Sequence, residues 1–155
     1  MTTNQKGAIA ETAIAHAATK LGIEVYRPVA EGGRYDMIFV ADEQLLRVQC
    51  KWAARRGDVL VVPCISSWRS RDGFVRRPYT AAEIDAIASY SMELDRCYFV
   101  PIERVEGRPA IALRLAPARN NQRRRINWAE EYELAARLGR HGAVAQLGER
   151  RAGSA

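Results

Sequence analysis

The 155-residue sequence predicts an α/β fold, a mixed β-sheet flanked by helices. Three observations predict it. The alanine-rich stretch GAIAETAIAHAATKLG near the start carries apolar residues at helical spacing. The run DMIFVADEQLLRVQCKW alternates about a short polar turn, as a hairpin does. Further apolar runs, VLVVP, CYFVPIE and AIALRL, recur between helix-like segments.

Each element follows in order. A helix from Lys6 to Leu21 places Ala10, Ala13, Ile14, Ala17 and Leu21 on one face and stops at Gly22. A strand, IEVYR, ends at Pro28, and EGGR signals a turn. DMIFV and LLRVQCKW are the hairpin strands, and VLVVP is another strand. The polar, basic stretch from Ser66 to Pro78, SSWRSRDGFVRRP, predicts a loop. Thr80 opens TAAE, a capping box, which predicts a second helix with Ile84, Ile87 and Ala88 on one face. Strands CYFVPIE and AIALRL flank the turn EGR. A last helix starts near Asn127 and carries Trp128, Tyr132 and Ala135 on one stripe before Gly139. Residues 1–138 form one domain, and 139–155, with no apolar periodicity, predict a disordered tail.

Composition narrows the function. An apolar fraction of 48% over this length supports one soluble domain with a core. The formal charge of +6 favours a polyanionic partner, most commonly nucleic acid. Cys50, Cys64 and Cys97 form no CxxC pattern and read as reduced residues of a cytoplasmic protein. No targeting segment or membrane span is expected. His16 and His141 stand alone, which excludes a paired-histidine nuclease. Neither a phosphate-binding glycine loop nor a Ser-His-Asp set is present, so NTPase and serine-hydrolase readings fall away.

The hairpin holds the candidate chemistry. With the turn at Ala41 to Gln44, Val40 faces Leu45, Ile38 faces Arg47 and Asp36 faces Gln49. Lys51 lies two residues on, on the same face as Gln49, while Met37, Phe39, Leu46, Val48 and Cys50 point the other way. One face is therefore core, and the other converges a carboxylate, an amide and an ammonium at one end. A solvated face with a cross-strand ion pair is the ordinary alternative, but Ile38, Val40 and Leu45 on that face predict a covering layer. Phosphodiester cleavage needs these parts: oxygen ligands for a hard divalent cation, and a cation to stabilise developing charge.

The order of a helix with one Glu, a turn, RYDMIFV, then LLRVQCKW with Q-x-K at its end resembles the PD-(D/E)XK, restriction-endonuclease-like nuclease superfamily. The resemblance is closest to its branch of bacterial intron-encoded homing endonucleases and extends over most of Lys6 to Leu138. It implies a restriction-endonuclease-like mixed sheet and a Mg²⁺ (or Mn²⁺) cofactor. It also implies a catalytic set in which Asp36 is the main metal ligand, Gln49 a neutral second ligand and Lys51 the catalytic lysine. Two departures stand out: Tyr35 occupies the place of the superfamily's Pro, and Gln49 removes a negative charge. Glu11, the one acidic residue of the first helix, has Ala15 and Ala18 beside it and is the candidate for a second carboxylate ligand.

Arg55, Arg56, Arg69, Arg71, Arg76 and Arg77, with Trp68 and Phe74 among them, suit phosphate and groove contact with double-stranded DNA. A second cluster sets Asn120, Asn121 and Gln122 beside Arg123, Arg124 and Arg125, residue types that can read base edges. Asp85 and Asp95 read as exposed helix acids. One active site per chain cuts one strand, so double-strand cleavage implies a homo-oligomer, a dimer or tetramer. The expected function is a metal-dependent DNA endonuclease of homing type. A Holliday-junction resolvase, a restriction-type nuclease or an inactive DNA-binding relative are the alternatives. The tail HGAVAQLGERRAGSA resembles the peptide read from the first half of a bacterial tRNA gene, which implies a reading frame that runs into such a gene.

Overall fold

The computed structural model describes residues 1–117, 120 and 125–139. The expected tail at 140–155, and Asn121, Gln122, Arg123 and Arg124, lie outside the described residues.

The first helix, α1 (Thr3–Lys20), starts earlier than its apolar periodicity suggests. Thr2 and Gln5 cap it reciprocally: the Gln5 N–H donates to Thr2 Oγ1 (3.1 Å) and the Thr2 N–H to Gln5 Oε1 (2.8 Å). At its C-terminus Gly22 adopts a φ of 81°, and the Ile23 N–H donates to the Ala18 carbonyl (3.1 Å). The left-handed turn suits a residue without Cβ and ends the helix there.

Ten strands follow: β1 (Glu24–Tyr26), β2 (Met37–Ala41), β3 (Gln44–Trp52), β4 (Ala54–Arg56), β5 (Val59–Pro63), β6 (Ile65–Ser70), β7 (Gly73–Pro78), β8 (Ala86–Ser91), β9 (Arg96–Pro101) and β10 (Ala110–Arg114). Two short helices, α2 (Ala129–Tyr132) and α3 (Leu134–Leu138), close the described chain. The main sheet has the order β1-β2-β3-β8-β9, with β3 and β8 parallel and the other neighbours antiparallel. A second sheet runs β10-β5-β4, and β6 and β7 form a ribbon of their own.

The β2–β3 hairpin has the expected register, with Val40 opposite Leu45 and Ile38 opposite Arg47. Its two-residue turn is Asp42-Glu43, at φ 51° and 64°, whose double left-handed twist matches the strands it joins. Met37, Phe39 and Val48 are fully buried against Ala10, Ile14 and Ala18 of α1. Each such side chain contributes roughly 1.5–3 kcal/mol of burial. The opposite face of the sheet is covered as well. Ile87, Tyr98 and Val100 pack with Leu60 and Val62 of β5, Ile111 and Leu113 of β10, and Tyr132 of α2. This second layer lies on β8 and β9 and does not reach the three apolar residues on the hairpin's polar face: Ile38 and Val40 are half-buried and Leu45 is exposed, so the expected cover over them is not found.

Three further expectations are corrected. The capping box at Thr80 makes one turn only: the Glu83 and Ile84 N–H groups both donate to the Thr80 carbonyl (3.0 and 3.1 Å). The chain then enters β8, the strand between β3 and β9. Ile84, Ile87 and Ala88 are buried in or beside a strand and not along a helix face. Arg47 fixes that entry: its N–H and guanidinium donate to the Asp85 carboxylate (2.7, 3.0 and 3.1 Å), so Asp85 is not a free helix acid. Asp95 sits in the β8–β9 turn and accepts from the Tyr90 hydroxyl (2.8 Å). Ser66–Pro78 is no loop but the β6–β7 ribbon, with Trp68 opposite Val75 and Arg69 opposite Phe74. The last helix is broken at Glu133, which is extended (φ −55°, ψ 139°), bridges Tyr98 and accepts from Arg96 (3.0 Å). Ala129, Tyr132 and Leu134 are the residues it buries, while Ala135 is exposed.

Candidate active site

Asp36 stands just before β2, where its N–H continues the hairpin ladder to the Val48 carbonyl (2.9 Å). Its carboxylate accepts from the Cys50 N–H (2.8 Å), the amide between Gln49 and Lys51. Asp36 is thus tied to the far end of β3 through both its backbone N–H and its carboxylate. Gln49 and Lys51 lie alongside Ile87 and Ser89 of β8, on the face turned away from α1. The side-chain Oε1 of Gln49 is buried and has no hydrogen-bond partner among the described residues. Lys51 Nζ donates to the Ile65 carbonyl (3.0 Å) and lies 5.3 Å from the Tyr79 ring centroid.

Glu11 arrives from α1, on the other face of the sheet. With Asp36, Gly7, Arg27, Glu31, Gly32, Gly33 and neighbours it lines a cleft of about 650 Å³. Gln49 and Lys51 line a second cleft of about 740 Å³ with Arg34, Ser66, Trp68 and Tyr79. Thr3, Gly32 and Gly33 border both, so the four residues straddle one end of the sheet, two in each cleft. No hydrogen bond or ion pair joins any two of the four side chains among the described residues.

Electrostatics couple the two clefts. Burial raises the Asp36 pKa, and the Cys50 amide, Lys51 and Arg27 pull it back only in part. Burial and the Asp36 charge both raise Glu11, with Arg27 opposing. Burial lowers Lys51, against the attraction of Asp36. Two half-buried carboxylates, of which Asp36 disfavours the charge on Glu11, and a buried carbonyl oxygen without a donor are groups that a divalent cation would satisfy. Among the described residues no three His, Cys, Asp or Glu side chains gather at one point, so Gln49 would have to complete any such set.

The basic residues divide. Arg55 pairs with Glu93 (3.2 Å) and Arg77 with Glu83 (2.6 Å). Arg56, Arg71 and Arg76 are exposed, and Arg69 lies over the Phe74 ring at 5.6 Å. The ribbon carries Phe74 70% exposed and Trp68 44% exposed, beside those arginines. Arg125, exposed with a φ of 59°, shares a cleft with Arg108, Arg114 and Asn120. Arg108 and Arg114 were not expected there, because sequence spacing does not bring them beside Arg125.

The PD-(D/E)XK endonuclease profile matches residues 1–135. The chain belongs to that family. It is therefore a nuclease of a family that generally uses divalent metal ions, with DNA as the substrate class that the family implies. Its structure is similar to that of a bacterial homing endonuclease, I-Ssp6803I, at a TM-score of 0.72 and 28% identity. The similarity covers 94% of this chain and 98% of that one. Comparison with curated protein sequences gives no match.

Motif spacing missed two residues beside these clefts. Arg27, next to Pro28 in the sequence, is the positive charge facing both Glu11 and Asp36. Arg34, two residues before Asp36, contacts the turn after β7, as described below. No helix is long and apolar enough to cross a membrane among the described residues.

Proposed function

We propose that the protein is a homing-type endonuclease that hydrolyses phosphodiester bonds of double-stranded DNA with Mg²⁺ or Mn²⁺. The observation that carries this reading is the unpartnered, buried Oε1 of Gln49 on the strand end that also bears Lys51 and binds Asp36 through the Cys50 amide. Glu11, Asp36 and Gln49 would hold the cation, which when bound supplies charge neutralisation at the phosphate and a more acidic water. Two carboxylates balance a divalent charge, so Glu11 makes up for the neutral Gln49. The half-buried ammonium of Lys51, oriented by the Ile65 carbonyl, is set to stabilise charge developing on the phosphoryl oxygens. Exposed Arg56, Arg69, Arg71 and Arg76 would hold the DNA backbone.

Similarity to a homing endonuclease over nearly the whole chain supports the homing assignment above resolvase or restriction roles. A double-strand break then calls for a dimer or tetramer. The free, buried Cys50 and Cys64 fit a cytoplasmic protein. The absence of a three-carboxylate group among the described residues favours a second reading, a DNA-binding relative that no longer cuts.

Nicking and cleavage of a supercoiled plasmid carrying a bacterial tRNA locus separate the two. Cutting by wild type in Mg²⁺, absent in EDTA and in Asp36→Ala and Lys51→Ala, is the expected result. Retarded DNA without metal-dependent cutting would favour the binding relative.

A further inference from the structure

The Arg34 side chain makes four hydrogen bonds, and none of them is to Asp36, Gln49 or Lys51. Its Nε and Nη2 donate to the two carboxylate oxygens of Glu83, the Nη2 contact at 3.2 Å. Its Nη1 donates to Ser66 Oγ and its Nη2 to the Pro78 carbonyl (3.3 Å). Ser66 belongs to β6 and Pro78 ends β7, so a single guanidinium spans both strands at the base of the ribbon. Its plane lies 4.3 Å from the centroid of Tyr79, a ring only 2% exposed. The Lys51 ammonium lies 5.3 Å from that same ring and is bonded to Ile65, the first residue of β6. Glu83 also receives Arg77, from β7, and Thr80 (3.1 Å).

A fork-shaped donor set with four of its five N–H groups engaged has little left to offer a phosphate. It is built to hold protein parts at fixed separation. We propose that Arg34 is a positioning residue for cleavage, locking the base of the β6–β7 ribbon to the seat of Lys51 so that DNA gripped by the ribbon and the reacting phosphate are placed as one unit. This rests on the nuclease reading above. The side chain acts through Tyr79 and the Ile65 carbonyl and touches no reacting atom.

The test uses the full chain and a duplex spanning the cut site mapped with wild-type protein. Equilibrium binding is measured in Ca²⁺ and single-turnover cleavage in Mg²⁺, for Arg34→Gln, Arg34→Lys, Glu83→Gln and the double variant Arg34→Gln/Glu83→Gln. Arg34→Gln should leave the Kd within about threefold while the cleavage rate falls on the order of 10²-fold, the scale of a small misplacement at the reacting centre. Glu83→Gln should repeat the pattern while Arg34 is retained. The double variant should lose little beyond Arg34→Gln alone, since the two act as one unit. Methylguanidinium should restore part of the Arg34→Gln rate, which a general loss of stability would not allow. An unchanged rate in Arg34→Gln, or a parallel loss of binding and rate in both single variants, would overturn the role of Arg34 alone. No cutting by wild type at any site would sink the nuclease reading, and this proposal with it.

Discussion

Two of the protein's hairpins, β2–β3 and β6–β7, are of similar build and opposite surroundings. In β2–β3, Met37, Phe39 and Val48 are fully buried, and the strands lie within a five-stranded sheet with α1 packed on one face. In β6–β7 the pairs are as regular, but the strands join no other sheet, and Phe74 and Trp68 stand out in solvent. The first hairpin sets Gln49 and Lys51, the groups proposed to act on the phosphate, on a packed frame, where a small shift would be costly. The second presents arginines and aromatic rings outward, on a ribbon that shares no sheet with the rest of the chain. Packing and exposure are placed in separate hairpins, tied by the hydrogen bond from Lys51 to the Ile65 carbonyl and, at the ribbon's base, by Arg34.

The sharpest test of that division is chemical. Asp36→Ala should lower metal-dependent single-turnover cleavage on the order of 10³-fold, the scale of losing one preorganised electrostatic group, with the duplex still bound in Ca²⁺. Loss of binding to the same degree would show that Asp36 serves the fold and not the reaction. Stability comes next. Phe39→Ala, which leaves a hole where Phe39 stacks with Phe99 (centroids 6.3 Å apart), should cost about 3–5 kcal/mol in urea unfolding. Phe74→Ala should stay within about 0.5 kcal/mol. Equal costs would erase the contrast between the hairpins.

Smaller effects refine it. Arg76→Ala on the ribbon should weaken DNA binding at every sequence and reduce the slope of log K against log salt by about 0.9, as one lost phosphate contact requires. An unchanged slope would remove Arg76 from the interface. The subtlest effect is on pH. Burial raises the folded-state pKa of Asp36 above its unfolded value, so the folded form holds the proton more tightly. Without metal, stability should therefore fall as pH rises from the ordinary aspartate range through the raised value, the reverse of an ion-paired carboxylate. Asp36→Asn should flatten that fall in EDTA, measured by Tm across pH 3–7; a slope identical to wild type would assign it to other groups.

Much of the β2–β3 hairpin was legible in the sequence. Its register followed from alternation, and Asp36, Gln49 and Lys51 fell at one end by counting. The segment after Thr80 misled because its local signal was real: Thr80 and Glu83 do bond, but for one turn. All six residues of β8 are buried, so the strand shows no alternation, and a short apolar run of that kind has no period by which to tell helix from strand. The ribbon was hidden for the opposite reason. Each of its faces mixes apolar with polar residues, Trp68 and Val75 among serines and arginine on one and Ile65 and Phe74 on the other, so no apolar stripe marked it as β.

What the sequence by itself determined is whatever rests on neighbours close in the chain: the first helix with its glycine stop, the tight hairpin and its two faces, and the order of motifs that marks the family. The tertiary structure alone decided what depends on distant partners. It made residues 86–91 a central strand because β3 and β9 offered open edges there. It brought Glu11 to Asp36 around the end of the sheet, and it stretched Arg34 across the base of a ribbon some thirty to fifty residues away along the chain. Local periodicity can say which side a residue faces, but which partner waits on that side is set by how the layers close over one another.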